Sequence, residues 1–161
     1  MNQLEQIAER VGQWAAWLNV PLVLLICYDV FMRYAFNETA VWILELEWHL
    51  YALIFLFGAA FALKHDQHVR VDVFYDNLNR HKQAWIDTVG IILFLMPWIV
   101  LVIWQSSVYT ANSFAILEGS PDPGGMPARY ILKACIPISF TLLGLQGIAE
   151  LIKNILILTG D

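Results

Sequence analysis

Residues 91–104 read IILFLMPWIVLVIW, without one charged side chain, and form the centre of a longer apolar stretch, 86–111. Three comparable stretches lie elsewhere in the 161-residue chain, at 18–36, 48–63 and 131–158. An α-helix rises 1.5 Å per residue, so about 20 residues cross a hydrocarbon layer of ~30 Å. All four stretches reach that length with their flanks, and each is continuously apolar rather than alternating. The sequence therefore predicts four transmembrane helices.

The composition favours a membrane domain and leaves little room for a separate soluble one. Hydrophobic residues make up 59% of the chain and charged residues 14%, whereas soluble domains carry ~25% charged residues. The mean hydropathy is +0.59. A net charge of -5 without a basic patch argues against nucleic-acid binding. We predict a single all-α integral membrane domain over 1–161 with short interfacial helices and transmembrane helices at about 14–36, 42–63, 85–111 and 131–158.

Segments outside the spans carry their own helix and turn signals. Residues 1–13 place apolar side chains at helical spacing, which predicts a short amphipathic helix on the membrane surface. Within 64–82, Asp72 is positioned to cap a short interfacial helix. The run SPDPGG at 120–125 is a strong turn signal, and Pro127 suits the first turn of the fourth helix.

The distribution of Lys and Arg predicts the orientation in the membrane. With four crossings, both termini share a side with the 64–82 connection. That side carries six Lys and Arg residues and the opposite side carries three, so we expect both termini to be cytoplasmic. The six are Arg10, Lys64, Arg70, Arg80, Lys82 and Lys153, and the three are Arg33, Arg129 and Lys133.

Charged side chains at membrane depth are costly and call for a partner or a function. Asp29 and Arg33 are four residues apart and share one helix face. Three roles are open for these two residues: an internal ion pair, a contact with another subunit, or part of a translocation path. Glu45 and Glu47 project about 200° from each other on a helix, so they form no acid–base pair alone. Either one faces the bundle and the other the interface, or both lie at a solvated helix end.

The histidines do not support a haem or metal centre. A haem with two imidazole ligands needs them at matching depth on different helices, and among the four histidines only His49 lies in an apolar stretch. No catalytic or phosphate-binding motif is present, so we predict neither an enzyme nor a cofactor. The residues themselves indicate an accessory or scaffold subunit of a larger membrane complex. The alternative is a membrane anchor of a respiratory or redox complex. A visible absorption spectrum would distinguish such an anchor from a scaffold subunit.

Short motifs along the chain resemble those of one transporter family. In chain order they are RY at 33–34, Trp42 followed by Glu45, GAA at 58–60, HVRVD at 68–72, SPDPGGMP at 120–127, IP at 136–137 and LQG at 145–147. Together they resemble the small membrane subunit, the DctQ-like component, of tripartite ATP-independent periplasmic (TRAP) transporters. The family often places two Glu side by side, whereas here Leu46 separates Glu45 from Glu47.

The resemblance implies a three-part secondary transporter in a bacterial inner membrane. A periplasmic binding protein captures the substrate, usually an organic acid. A large membrane subunit of about twelve helices carries it across by an elevator motion in a sodium-driven symport. The small subunit acts as a fixed scaffold. Seven residues are then candidates for subunit contacts or structural roles: Asp29, Arg33, Trp42, Glu45, Glu47, His68 and Asp72.

Overall fold

The computed structural model describes residues 2–65, 75 and 77–159. Its helices are α1 (Asn2–Trp17), α2 (Asn19–Phe36), α3 (Val41–Lys64), α4 (Arg80–Gly90), α5 (Met96–Ala115) and α6 (Arg129–Thr159), with a π-helical turn at Ile91–Leu95. The described ranges contain no β-strand, which confirms the all-α prediction. Within the same ranges, four helical segments are long and apolar enough to cross a membrane, also as predicted: Gln6–Phe36, Val41–Lys64, Arg80–Ala115 and Arg129–Thr159.

The first of these segments is interrupted at Leu18, between α1 and α2. Pro21 lies one turn later and has no N–H to donate, so it cannot make the helical bond to the Trp17 carbonyl. The chain closes the gap with bonds from Leu18 N–H to the Ala15 carbonyl at 3.1 Å and from Leu22 N–H to the Leu18 carbonyl at 3.2 Å. The helix therefore resumes almost at once, and one long helical segment, Gln6–Phe36, contains the predicted span 14–36.

Helix α1 extends beyond the predicted 1–13 and packs along the end of α3. A Cβ atom at Gly12 would lie 2.4 Å from the Cβ of Phe61, so only glycine permits this approach. One turn away, Glu9 Oε2 lies 2.6 Å from Lys64 Nζ and 2.9 Å from His65 Nε2. These contacts make α1 antiparallel to α3. Its position on the membrane surface stays a prediction.

The third segment contains a widened turn next to its proline. The π-helical turn Ile91–Leu95 ends with the Met96 N–H bonded to the Ile91 carbonyl, immediately before Pro97. Proline removes one helical donor and its ring crowds the preceding turn, and a π turn is one way to accommodate both effects. The distortion of this helix thus lies on the N-terminal side of Pro97.

Helix α6 packs against α3, α4 and α5 and forms the centre of the bundle. Two glycines bring it close to the third segment: a Cβ atom at Gly144 would lie 3.3 Å from Ile99 Cγ2, and one at Gly147 would lie 3.0 Å from Met96 Cε. Between them, Gln146 is only 1% exposed. Small residues that permit close helix packing thus serve contacts within the chain. Gly58 differs, because a Cβ atom there would meet nothing within 4 Å.

The connection between α3 and α4 is described only in part. Its end is defined by Asn79, whose side chain accepts a hydrogen bond from Lys82 N–H at 3.0 Å and so caps α4. The predicted helix capped by Asp72, and the candidate residue His68, lie outside the described residues.

Candidate subunit interface and the Glu45 cluster

Glu45 is the centre of a buried polar cluster at the start of α3. Glu45 is 3% exposed, and its carboxylate accepts bonds from three groups that lie far along the chain. The Ser120 hydroxyl and the Arg129 guanidinium both bind Oε1, and the Met126 N–H donates to Oε2 at 2.5 Å. The prediction of a solvated helix end is therefore wrong for Glu45, because the 116–128 loop folds over the carboxylate and supplies donors in place of water.

The 116–128 loop has a conformation that the Glu45 carboxylate helps to hold. Ser120 N–H donates to the Met126 carbonyl at 3.0 Å, which closes the turn predicted at 120–125. A Cβ atom at Gly125 would lie 2.2 Å from Ser120 Oγ and 2.9 Å from Glu45 Oε2, so glycine is required for this approach. The loop is thus fixed to the first turns of α3 through one carboxylate.

A second ion pair lies beside this cluster. Lys133, on the first turns of α6, binds the Glu118 carboxylate, which also accepts a bond from the Ser113 hydroxyl at 2.6 Å. The hydrogen bonds from Lys133 and then Ser113 lower the pKa of Glu118 below its ordinary value. The Lys133 ammonium also lies 4.0 Å from the centre of the Tyr109 ring, a cation–π contact. These contacts connect α5, α6 and the loop between them.

The partners of Glu45 were not identified from the sequence. In the sequence, Arg129 and Lys133 contribute to the orientation count, and Glu118 belongs to no motif. One signal was available, since Arg129 and Lys133 are four residues apart at the start of an apolar helix, where each cation needs a partner. Which acid each one binds depends on the tertiary fold.

Asp29 and Arg33 form an ion pair within α2, the first of the three roles left open for them. Asp29 is 3% exposed, whereas the Arg33 side chain is 46% exposed at the last turn of the helix. A cation at that end also interacts favourably with the helix dipole. The pair is therefore anchored inside the bundle and presents its guanidinium at the surface.

Glu47 belongs to the Asp29 group and not to the Glu45 cluster. Its carboxylate interacts electrostatically with both Asp29 and Arg33. Its Oε1 is buried, and no donor among the described residues reaches it. The site thus holds two carboxylates and one guanidinium. Glu45 and Glu47 face different surroundings, as their spacing predicted, and Trp42 stands 47% exposed on the first turn of α3.

The described part of the chain contains no group of three His, Cys, Asp or Glu side chains arranged to hold a metal ion. The one histidine in an apolar stretch, His49, has its Nδ1 2.5 Å from the Glu45 carbonyl and its ring against Trp48. This side chain is engaged in local contacts within α3.

Four apolar helical segments with charged clusters near their ends define a multi-pass helical membrane protein. Residues 22–156 match the family described as tripartite ATP-independent periplasmic transporters, DctQ component, and the chain belongs to that family. It is therefore a multi-pass protein of the bacterial inner membrane.

A similar protein is the C4-dicarboxylate TRAP transporter small permease protein DctQ of Vibrio cholerae serotype O1. It is 36% identical over 72 residues, which cover 40% of this chain and 31% of the relative. The match thus covers about a third of the curated relative's length.

Proposed function

We propose that this chain is the small membrane subunit of a TRAP transporter and scaffolds a large, elevator-type membrane subunit. The complex takes up an organic acid, driven by a sodium gradient, after delivery by a periplasmic binding protein. Family membership supports the transporter class, and the relative named for C4-dicarboxylate makes an acid of that kind one candidate substrate. The observation that carries the scaffold role is the charge imbalance at Asp29, Arg33 and Glu47.

This imbalance supports a contact with a basic side chain of the large subunit. Two carboxylates share one guanidinium, and a buried oxygen of Glu47 has no donor among the described residues. An unpaired charge at membrane depth is costly, whereas a paired one is tolerated. Lys or Arg from a neighbouring helix would complete the pairing. Trp42, exposed on the first turn of the same helix, is a further candidate for the interface.

The Glu45 cluster supports the proposal that the 116–128 loop forms a rigid surface of the scaffold subunit. A moving subunit needs a stationary neighbour, and the loop over Glu45 is tied to α3 by Ser120, Met126 and Arg129. With both termini cytoplasmic, as the Lys and Arg counts favour, this loop faces the periplasm, where the binding protein docks. His68 and Asp72 remain candidate interface residues at the opposite end.

Substitutions in the Asp29 group test the scaffold role. Glu47→Gln and Arg33→Gln should reduce both the recovery of the large subunit with the tagged chain and substrate uptake by cells. Glu38→Gln, an exposed carboxylate in the α2–α3 connection, is the matched control and should change neither. If Glu47→Gln abolished uptake while the complex stayed intact, Glu47 would act in transport itself and the scaffold role would be contradicted.

A further inference from the structure

Helix α5 carries a line of exposed side chains at heptad spacing. Its members alternate between intervals of three and four residues and form the α5 seam: Trp98, Leu101, Gln105, Val108 and Asn112. The packed side of the helix is elsewhere, because the buried Ile99 lies against Gly144 of α6. At about 100° per residue, the middle of the seam is roughly 140° around the helix from Ile99. The α5 seam therefore faces away from the bundle.

Gln105 places an unpaired amide of this seam within the hydrocarbon layer. The apolar stretch 86–111 is centred between Trp98 and Ile99, so Gln105 is about 10 Å from the middle of the span. The layer extends about 15 Å from its middle, and a tilted helix would place the residue deeper still. The amide is exposed and hydrogen-bonds to no other described residue. Lipid tails offer neither donors nor acceptors, so an amide at this depth calls for a partner on another helix.

Trp98 is a second indication that protein rather than lipid covers the seam. It lies at the middle of the span and is 59% exposed. Its indole N–H is a donor, and no described group accepts a hydrogen bond from it. Tryptophan is enriched at the two membrane interfaces, where its polar edge reaches water. An exposed tryptophan at the centre of a span is instead suited to a helix–helix contact.

The amides of the seam suit a second copy of this chain. Two copies have the same orientation in the membrane, so a two-fold axis along the membrane normal pairs their α5 helices in parallel. In a parallel pair at heptad spacing, Gln105 faces Gln105 and Asn112 faces Asn112. Each amide carries both a donor and an acceptor, so two identical amides can exchange hydrogen bonds. Polar residues at such positions also fix the register of the two helices.

The seam is remote from the contact assigned to the large subunit. The packed pairs α2–α3, α3–α6 and α6–α5 form a row of four helices, with α2 at one end and α5 at the other. Asp29 and Arg33 lie on α2, and Glu47 lies on the neighbouring α3. This step rests on the proposed function, which gives that group to the large subunit. A large subunit at the α2 end leaves the α5 seam accessible to a second copy.

We propose that two copies of this chain associate through their α5 seams, with the two Gln105 amides hydrogen-bonded to each other inside the membrane. The small subunits then form the centre of a two-fold assembly. Each copy carries its large subunit at the opposite end of its row of helices.

Disulfide cross-linking in the native membrane tests this pairing. The full chain, with Cys27→Ala and Cys135→Ala, receives a single cysteine, either Leu101→Cys on the seam or Val100→Cys as the matched control. Val100 is the adjacent residue, at the same depth and equally exposed, but it lies off the seam. A disulfide forms only where two Cα atoms come within about 7 Å. After mild oxidation, we expect about tenfold more covalent dimer from Leu101→Cys than from Val100→Cys.

A second substitution tests the role of the amide. Adding Gln105→Leu to the Leu101→Cys chain should lower the cross-linked fraction about tenfold, because the paired amides are lost. Leucine is more apolar and forms helices well, so α5 should still insert. Gln105→Asn keeps an amide and should keep most of the cross-link. Recovery of the large subunit with the tagged chain should be unchanged in Gln105→Leu.

Three results would overturn the proposal. Equal cross-linking of Leu101→Cys and Val100→Cys would indicate random collisions, and an unchanged cross-link in Gln105→Leu would remove the amide from the contact. Loss of the large subunit in Gln105→Leu would assign the seam to that subunit. A seam cross-link from a chain that recovers no large subunit would support the pairing and contradict the proposed function.

Discussion

Replacing Glu45 with glutamine should loosen the 116–128 loop while leaving the helices in place. In the structure Oε1 accepts bonds from Ser120 and Arg129, and Oε2 accepts one from the Met126 N–H. A carboxylate only accepts hydrogen bonds, whereas an amide replaces one oxygen with an NH₂ group that donates. If the oxygen of the glutamine keeps the first two partners, its NH₂ group faces the Met126 N–H, which loses its acceptor.

The expected magnitude follows from the bond that is lost. A hydrogen bond to a charged group changes the equilibrium between its closed and open states by a factor of about 10–100. The Met126 amide should therefore exchange its hydrogen with solvent about 10–100 times faster in Glu45→Gln. Arg129 also loses its counter-charge, which acts in the same direction.

Hydrogen exchange measured by mass spectrometry on peptides that span 116–128 would detect this change. Asp122→Asn is the control, since it makes the same chemical change on an exposed side chain of the same loop. It should alter the exchange of the Met126 amide by less than about threefold. If Glu45→Gln changed the exchange no more than Asp122→Asn, the Glu45 carboxylate would not hold the loop, and the account of this cluster would be wrong.

Two further predictions concern packing and pH. Gly12→Ala would place a Cβ atom 2.4 Å from Phe61 and should destabilise the chain by about 1–3 kcal/mol, whereas Gly58→Ala should be neutral or stabilise it by up to ~1 kcal/mol. Equal shifts in thermal unfolding would contradict the α1–α3 contact. The hydrogen bond from Lys133 lowers the pKa of Glu118 in the folded state. The ionised carboxylate therefore contributes stability above about pH 4.5, and this contribution is lost as the pH falls through the lowered pKa. In Glu118→Gln the melting temperature should thus depend less on pH below about 4.5, and an unchanged pH dependence would show that the pair with Lys133 adds no stability.

The four spans were predictable because length and continuous hydrophobicity are local properties of the sequence. The family was predictable because its motifs are short and follow one another in order. The packing of residues 6–13 was not, because an amphipathic pattern is also that of a helix on the membrane surface. Their apolar face packs on α3, and only the contact between Gly12 and Phe61 reveals this.

The polar sites were predicted in part. The pairing of Asp29 with Arg33 follows from a spacing of four residues, which is a helical contact. The separation of Glu45 from Glu47 follows from a spacing of two. The partners of Glu45 lie 75 to 84 residues away, so no local pattern could assign them. They depend on the loop that folds over the start of α3.

Identification of the proteins that accompany this chain in its native membrane tests the central claim most directly. The tagged chain would be purified in mild detergent, and its partners would be identified by mass spectrometry. The account predicts a large multi-helix permease subunit of a TRAP transporter, recovered in an amount comparable to the chain itself. Recovery of flavin, haem or iron–sulfur subunits instead would contradict it and would make the chain an anchor of a redox complex.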